Sequence, residues 1–266
     1  MKKNRLLNII ILIMMMTIAG QASADVVYAS YTGSQQGVTV RDLKLNQLSF
    51  FNTGFNASGI APGPNNDVYL ASGNHLYNYS ANGALITDMT FPDGGINYTS
   101  VAVSGDKVYA SYTGSQQGVT VRDLKLNQLS FFNTGFNASG IAAGPNNDVY
   151  LASGNHLYNY KVDGTLITNM TFPIATINYT DVAVSGGKVY ASYTGSQQGV
   201  TVRDLKLNQL SFFNTGFNAS GISAGPNNNV YLASGNHLYD YNVNGTLITN
   251  MTFPISTINY TDVTFK

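Results

Sequence analysis

The chain has 266 residues, no cysteine and a formal net charge of zero, and charged residues make up 10% of it, against about a quarter in soluble domains. Beyond residue 24, ten Lys and Arg side chains stand against thirteen Asp and no Glu, which gives a net charge of −3. These values exclude a disulfide framework and a basic nucleic-acid-binding surface.

Residues 1–24 have the pattern of a secretory signal peptide. The basic start MKKNR precedes the apolar run LLNIIILIMMMTIAG and the small residues of Ala22–Ala24, which form a cleavage site. A membrane anchor is the alternative, but the apolar run is shorter than the roughly 20 residues that a span needs. We predict an exported protein, periplasmic or secreted, whose mature chain, residues 25–266, forms one domain without a membrane-crossing segment.

The mature chain consists of repeats. The 34-residue string VYASYTGSQQGVTVRDLKLNQLSFFNTGFNASGI begins at Val27, Val108 and Val189 without a change, so the repeat is 81 residues long. Each repeat divides again, because DVYLASGNHLYNY at Asp67 echoes the start of the string. The chain therefore holds six half-units of about 40 residues, the period of a β-propeller blade.

Four short strands are predicted in each half-unit, separated by Gly, Asn, Pro and Ser turns. In the second half-unit the predicted strands are residues 58–62, 67–72, 75–80 and 84–91, and in the third they are residues 99–103, 107–112, 118–124 and 128–135.

This pattern predicts an all-β, six-bladed β-propeller built from three near-identical two-blade repeats. Alternating Val, Tyr, Leu, Ile and Phe residues would pack between blades, and we expect most tyrosines to lie in the core. The competing architecture is a solenoid such as a parallel β-helix, but solenoids need atypical terminal repeats. Here the end repeats match the middle one, which favours a closed ring.

The even half-units resemble the repeat of NHL-type propellers. The stretch from Gly140 to Thr168, GIAAGPNNDVYLASGNHLYNYKVDGTLIT, has the inner strand, the second strand, the GNH turn and the DG hairpin of that family. The GNHLY motif recurs at Gly73, Gly154 and Gly235. The resemblance implies the fold, whereas NHL-like propellers include interaction domains, RNA binders and enzymes, so it does not imply one function.

Catalytic chemistry has little support in the sequence. His75, His156 and His237 occupy one register of the three repeats, so a shared metal site would require them to line a narrow channel. The chain has no Glu, no cysteine nucleophile and no GxSxG elbow, and identical repeats give identical environments where active sites need unlike ones. We predict no enzyme, no metal and no cofactor, although a metal-dependent hydrolase or lactonase is the least favoured alternative.

The arginines of the VRDLKL motif are predicted to lie on a solvated third strand. Neighbouring strand residues point to opposite faces, so Arg41 is not expected to pair with Asp42. The same expectation holds for Arg122 and Arg203.

A ligand is expected on the propeller face that collects the loops between strands two and three and between blades. These loops combine aromatic rings with amide groups, which suit neutral polyols. The predicted ligand-binding residues recur at intervals of 81: Tyr31, Gln35, Gln36, Asn56, Asn74 and His75; Tyr112, Gln116, Gln117, Asn137, Asn155 and His156; Tyr193, Gln197, Gln198, Asn218, Asn236 and His237.

The predicted function is a monomeric binding or interaction propeller with threefold-repeated shallow sites. Glycans and proteins are both expected ligands for this face, while no nucleic acid and no membrane are expected as partners. The chain lacks Trp, on which many sugar-binding propellers rely, so the protein-interaction scaffold stays open as the alternative.

The two ends of the mature chain complement each other. INYTDVTFK (Ile258–Lys266) supplies a first strand and then stops, whereas DVVYAS from Asp25 begins with a second strand and lacks a first one. We therefore predict that one C-terminal strand joins three N-terminal strands to close the ring, rather than forming a frayed tail.

Overall fold

Each 81-residue repeat folds into two four-stranded antiparallel sheets, because alternating apolar residues and Gly- or Asn-containing turns recur about every ten residues. A computed structural model describes residues 25–266 and contains six such sheets. The predicted signal peptide, residues 1–24, lies outside the described residues. The fold is thus the predicted all-β, six-bladed propeller, and we number its blades 1 to 6 in chain order.

The odd blades contain the longer strands. From the centre outwards they are β24 (Ile258–Phe265), β1 (Val27–Gly33), β2 (Gly37–Arg41) and β3 (Gln47–Asn52) in blade 1; β8 (Ile96–Ser104), β9 (Lys107–Gly114), β10 (Gly118–Asp123) and β11 (Gln128–Asn133) in blade 3; and β16 (Ile177–Ser185), β17 (Lys188–Gly195), β18 (Gly199–Asp204) and β19 (Gln209–Asn214) in blade 5.

The even blades have short inner strands. From the centre outwards they are β4 (Gly59–Pro62), β5 (Asp67–Ser72), β6 (His75–Ser80) and β7 (Leu85–Thr90) in blade 2; β12 (Gly140–Ala143), β13 (Val149–Ser153), β14 (His156–Tyr160) and β15 (Leu166–Thr171) in blade 4; and β20 (Gly221–Ala224), β21 (Val230–Ser234), β22 (His237–Tyr241) and β23 (Leu247–Thr252) in blade 6.

The ring closes as the sequence predicts. Strand β24 pairs antiparallel with β1, from Val27 opposite Phe265 to Gly33 opposite Ile258. Gly33 has a positive φ of 129°, and a Cβ atom there would lie 1.9 Å from the carbonyl oxygen of Thr257. Glycine is therefore required where the two chain ends meet.

The core lies between neighbouring blades and is rich in tyrosine. Of the 18 tyrosines, fifteen are buried, which confirms that most of them belong to the core. The other three are Tyr77, Tyr158 and Tyr239, which occupy one register of the repeat and are only half-buried.

The expectation that Arg41, Arg122 and Arg203 are solvated was wrong, because each is at most 4% exposed. Arg122 donates from Nη1 to the carbonyl oxygen of Leu126 over 2.8 Å and from Nη2 to the hydroxyl of Tyr98 over 3.2 Å. Leu126 has a left-handed φ of 67°, so the guanidinium holds the strained turn that follows its own strand. These bonds replace the solvent that the charge loses on burial.

The outermost strands leave large apolar side chains exposed at the perimeter. In β3, Leu48 is 58% and Phe50 is 57% exposed, and β7 exposes Leu85 and Ile86 in the same way. The pattern repeats in all six outer strands, each of which exposes two large apolar side chains.

Candidate functional sites: the loop face and the central cavity

The loops predicted to share a face are joined by hydrogen bonds. The backbone N–H of Thr53 donates to the carbonyl oxygen of Gln36 over 3.0 Å. Ser72 Oγ donates to the carbonyl oxygen of Asn56 over 2.7 Å. The backbone N–H of Phe91 donates to the carbonyl oxygen of Asn74 over 2.7 Å. We call this surface, residues 31–37, 53–58, 72–75 and 91–96 with their copies, the loop face.

Most of the predicted ligand residues reach the surface of the loop face. Gln35 and Asn56 are exposed, whereas Gln36, Asn74 and His75 are half-buried. The same exposures recur in the second and third repeats, at Gln116, Gln117, Asn137, Asn155 and His156 and at Gln197, Gln198, Asn218, Asn236 and His237. Their role in binding stays a prediction.

The prediction for Tyr31, Tyr112 and Tyr193 needs correction, because each of these rings is only 1% exposed. The Tyr31 ring packs against Phe253 with 5.4 Å between centroids, and its hydroxyl donates to Asn52 Oδ1 over 3.1 Å. These tyrosines lie on the strand face that packs against the preceding blade of the ring. They support the loop face from beneath and have no surface for a ligand.

The aromatic groups that do reach the loop face come from β6 and from the loop between β3 and β4. Tyr77 stacks on Phe55 with 4.3 Å between ring centroids and on His75 with 5.5 Å. All three side chains are half-buried. We call this group and its copies the aromatic row; the copies are Phe136, His156 and Tyr158 in blade 4 and Phe217, His237 and Tyr239 in blade 6.

Sequence reasoning found the histidine of the aromatic row but missed the tyrosine and phenylalanine. The signal was the alternation of HLYNY, which places His75 and Tyr77 on the same face of one strand. Phe55 comes from a loop 20 residues earlier, so only the folded chain brings it to Tyr77.

Polar groups along the aromatic row have defined orientations. His75 Nδ1 lies 3.1 Å from Thr90 Oγ1, which leaves Nε2 as the nitrogen available to a ligand. Asn56 Oδ1 accepts a hydrogen bond from Thr32 Oγ1, so its amide nitrogen is the free donor. Each copy thus presents an amide donor and an imidazole beside stacked rings.

The second candidate site is a cavity of about 150 Å³ on the propeller axis, lined by all six inner strands. Two carboxyl groups from equivalent positions, Asp181 of β16 and Asp262 of β24, lie in its lining and are 6% exposed. Asp181 Oδ2 accepts the N–H of Ile222 over 3.0 Å, and Asp262 Oδ2 accepts that of Ile60 over 3.0 Å. The backbone of the following blade therefore fixes each carboxyl group.

Burial raises the pKa of both carboxyl groups. The charge of Asp181 raises the pKa of Asp262 further. Two carboxyl groups that line one buried cavity disfavour each other's ionisation. Among residues 25–266, no Lys, Arg or His lines the cavity.

Asp181 and Asp262 break the threefold repeat, because the third equivalent position holds Ser100. Sequence reasoning missed the pair by treating the repeats as identical environments. The signal was the change from YTSV at residues 98–101 to YTDV at 179–182 and 260–263.

Comparison with known proteins supports the fold but assigns no family. No family model and no curated protein matches the chain. Among solved structures, the chain is similar to a protein of unknown function from Bacteroides caccae, with a TM-score of 0.72, 10% identity, and coverage of 91% of this chain and 99% of that one. At this identity the likeness shows the fold alone, and the resemblance to NHL repeats stays a prediction.

The described residues contain no helix that is long and apolar enough to cross a membrane.

Proposed function

We propose that this chain is an exported, non-enzymatic binding protein whose loop face carries three copies of one shallow site. The ligand is a neutral polyhydroxylated molecule such as a glycan. The aromatic row, repeated three times beside exposed amides, is the observation that supports this proposal.

The chemistry of each copy fits a neutral ligand. Amide groups such as those of Asn56 and Asn74 donate and accept hydrogen bonds in pairs, as the vicinal hydroxyls of a sugar require. The stacked rings of His75 and Tyr77 provide an apolar surface for the C–H face of a pyranose ring. A neutral ligand needs no ion pair, which agrees with the low charge of the chain.

Three weak copies on one rigid ring would act together. A branched or polymeric glycan that reaches two copies converts the second binding event into an intramolecular one, which raises the apparent affinity by about 10²–10⁴.

Glycan-array binding tests the proposal with variants in which one copy or all three copies of the site are changed. Replacing Asn74 and His75 by Ala in a single repeat should reduce array binding at least about tenfold, and changing Asn155, His156, Asn236 and His237 as well should abolish it. The matched control is Lys44→Ala, Lys125→Ala and Lys206→Ala, exposed side chains in the KLNQ turns of the opposite face. Equal binding by the triple-repeat variant and the control would refute the glycan site.

A protein ligand on the same face is the second candidate. Ile174 is 40% and Ile255 is 41% exposed in loops that enter the loop face, where the first repeat has Asp93. Exposed apolar side chains of this kind are typical of protein interfaces. If the array is silent, a partner isolated with the wild-type chain should be lost with Ile174→Asp and Ile255→Asp, and retained with Lys125→Ala.

A further inference from the structure

We propose that the second and third copies of the loop-face site recognise a sugar that carries a methyl substituent, through Ile174 and Ile255, whereas the first copy, with Asp93 at the same position, does not. This inference rests on the proposed glycan-binding function and names the substrate class of the same site. An acetamido sugar and a 6-deoxy sugar share this chemistry.

The distinguishing residue is held between predicted ligand residues. In the second copy, the N–H of Phe172 donates to the backbone carbonyl oxygen of Asn155 over 2.7 Å. At the other end of this loop, Thr176 Oγ1 lies 2.8 Å from Oγ of Ser196, which precedes the predicted ligand glutamines of the next blade. Ile174 stands between the two anchors and is 40% exposed, so a short fixed loop presents it beside the site.

The isoleucine side chains are not required to anchor this loop. In the first copy, Asp93 itself forms the bridge, because its Oδ2 accepts a hydrogen bond from Ser115 Oγ over 2.8 Å. In the other copies, the threonine two positions later replaces it, and Thr257 Oγ1 lies 2.9 Å from Ser34 Oγ in the third copy. The position of Asp93 is thereby released from anchoring, and both released copies have the same exposed apolar residue there.

A second substitution separates the same copies. Asp88 pairs across the strands with Tyr77 of the aromatic row, and Asn169 and Asn250 occupy its place in the second and third copies. The first copy is therefore acidic at both differing positions, whereas the other two are neutral. Covering a carboxylate with an apolar substituent removes its hydration, which is costly.

Each of the two matching copies offers three kinds of contact to a methyl-bearing sugar. Tyr158 stacks on His156 and gives an apolar surface for the sugar ring. The side-chain amide of Asn155 has no hydrogen-bond partner among the described residues, so its donor and acceptor atoms are available to hydroxyl or acetamido groups. Ile174 adds apolar area for the methyl group, whose removal from water is favourable.

The first copy can receive the loop of the second copy without strain. Neither Gly94 nor Gly95 has a left-handed φ. A Cβ atom at Gly94 would meet no atom within 4 Å, and the nearest atom to one at Gly95, at 3.3 Å, belongs to Asp93, which the exchange replaces. The combined variant Asp88→Asn, Asp93→Ile, Gly94→Ala and Gly95→Thr therefore makes the first copy match the second at these positions.

NMR of the full mature chain with labelled isoleucine methyl groups tests the inference. The probes are N-acetylglucosamine and 6-deoxygalactose, and the matched sugars without the methyl group are glucose and galactose. At least one probe should bind about fourfold more tightly than its matched sugar, the effect of burying one methyl group. The resonances of Ile174 and Ile255 should shift with one dissociation constant. Preference for N-acetylglucosamine assigns the methyl group to an acetamido substituent, and preference for 6-deoxygalactose assigns it to a 6-deoxy sugar.

The exchange variant provides a gain-of-function test. The methyl resonance introduced at position 93 should shift with the same dissociation constant as those of Ile174 and Ile255, whereas Ile174→Asp with Ile255→Asp should remove the preference for the probe. Asp106→Asn, which removes a charge from an exposed turn on the opposite face, is the control and should bind as wild type.

The outcomes separate this inference from the function on which it rests. Binding of all four sugars with equal affinity, or binding that leaves the Ile174 and Ile255 resonances unchanged, would overturn the inference and leave the glycan site standing. A mature chain that binds none of the sugars and is silent on the glycan array would refute the proposed function, and the inference with it.

Discussion

Asn229 donates a hydrogen bond from Nδ2 to Oδ2 of Asp240 over 3.1 Å, whereas the first repeat has the same bond with its residues exchanged. There, Asn78 Nδ2 donates to Asp67 Oδ2 over 3.0 Å. The amide–carboxylate pair is kept although both residues differ between repeats. The pair therefore persists because the interior site needs one donor beside one acceptor.

The exchange makes Asp240 a source of pH-dependent stability. Burial raises the pKa of Asp240 from 3.8 to about 6, and the bond from Asn229 opposes this shift. Because the folded pKa exceeds the unfolded one, the contribution of Asp240 is greatest below pH 3.8 and is lost as the pH rises towards 6. We expect Asp240→Asn to be more stable than wild type above this range, with a difference in Tm that shrinks as the pH falls.

Thermal melts of both proteins across this pH range measure the difference. Asp163→Asn is a control whose stability relative to wild type should depend on pH in the opposite direction. Hydrogen bonds from Thr165 lower the pKa of the exposed Asp163. Its stabilisation is present at neutral pH and lost in acid, so the control should be slightly less stable than wild type at neutral pH. An Asp240→Asn variant with the same melting profile as wild type at every pH would contradict the prediction.

Arg122→Met should destabilise blade 3 by about 3 kcal/mol. The substitution leaves the Leu126 carbonyl oxygen and the Tyr98 hydroxyl without the guanidinium, and each buried polar group left unpaired costs about 1–3 kcal/mol. Denaturant unfolding measures the change. Lys125→Met, in the same turn but exposed, should stay within about 0.5 kcal/mol of wild type, and similar values for the two variants would argue against the turn-holding role.

Replacing two adjacent phenylalanines in β3 should affect stability to very different degrees. Phe51 is 8% exposed and stacks on Tyr79, so Phe51→Ala should cost about 3–5 kcal/mol of unfolding free energy. Phe50 is 57% exposed, so Phe50→Ala should change stability by less than about 0.5 kcal/mol. A large loss in Phe50→Ala, measured by the same denaturant unfolding, would mean that the perimeter is covered by another copy of the chain.

Deleting residues 258–266 should abolish cooperative unfolding. Strand β24 buries Ile258, Tyr260 and Val263, which together contribute about 6 kcal/mol at roughly 2 kcal/mol per buried side chain, an amount comparable with the whole stability of a domain. Near-ultraviolet circular dichroism and melting monitor the loss. Deleting Lys266 alone is the control, and an unchanged melting temperature after the longer deletion would refute the closure by β24.

Strand boundaries were largely predictable because turns and alternation are local signals. The predicted strands at residues 67–72 and 75–80 agree with the structure. The first strand of blade 3 begins at Ile96 rather than at Thr99, because a bulge between Tyr98 and Ser100 lets pairing continue past the irregularity. A bulge depends on the partner strand, so the sequence of one strand does not reveal it.

The sequence by itself determined the repeat, the number of blades and the complementarity of the two chain ends, because these follow from period and turn chemistry along the chain. Only the tertiary structure decided which side chains of the repeat face solvent. It buries Tyr31 and brings Phe55 to Tyr77. It also brings Asp181 and Asp262, 81 residues apart, into the lining of one cavity on the axis, since the inner strands of different blades meet only when the ring has closed.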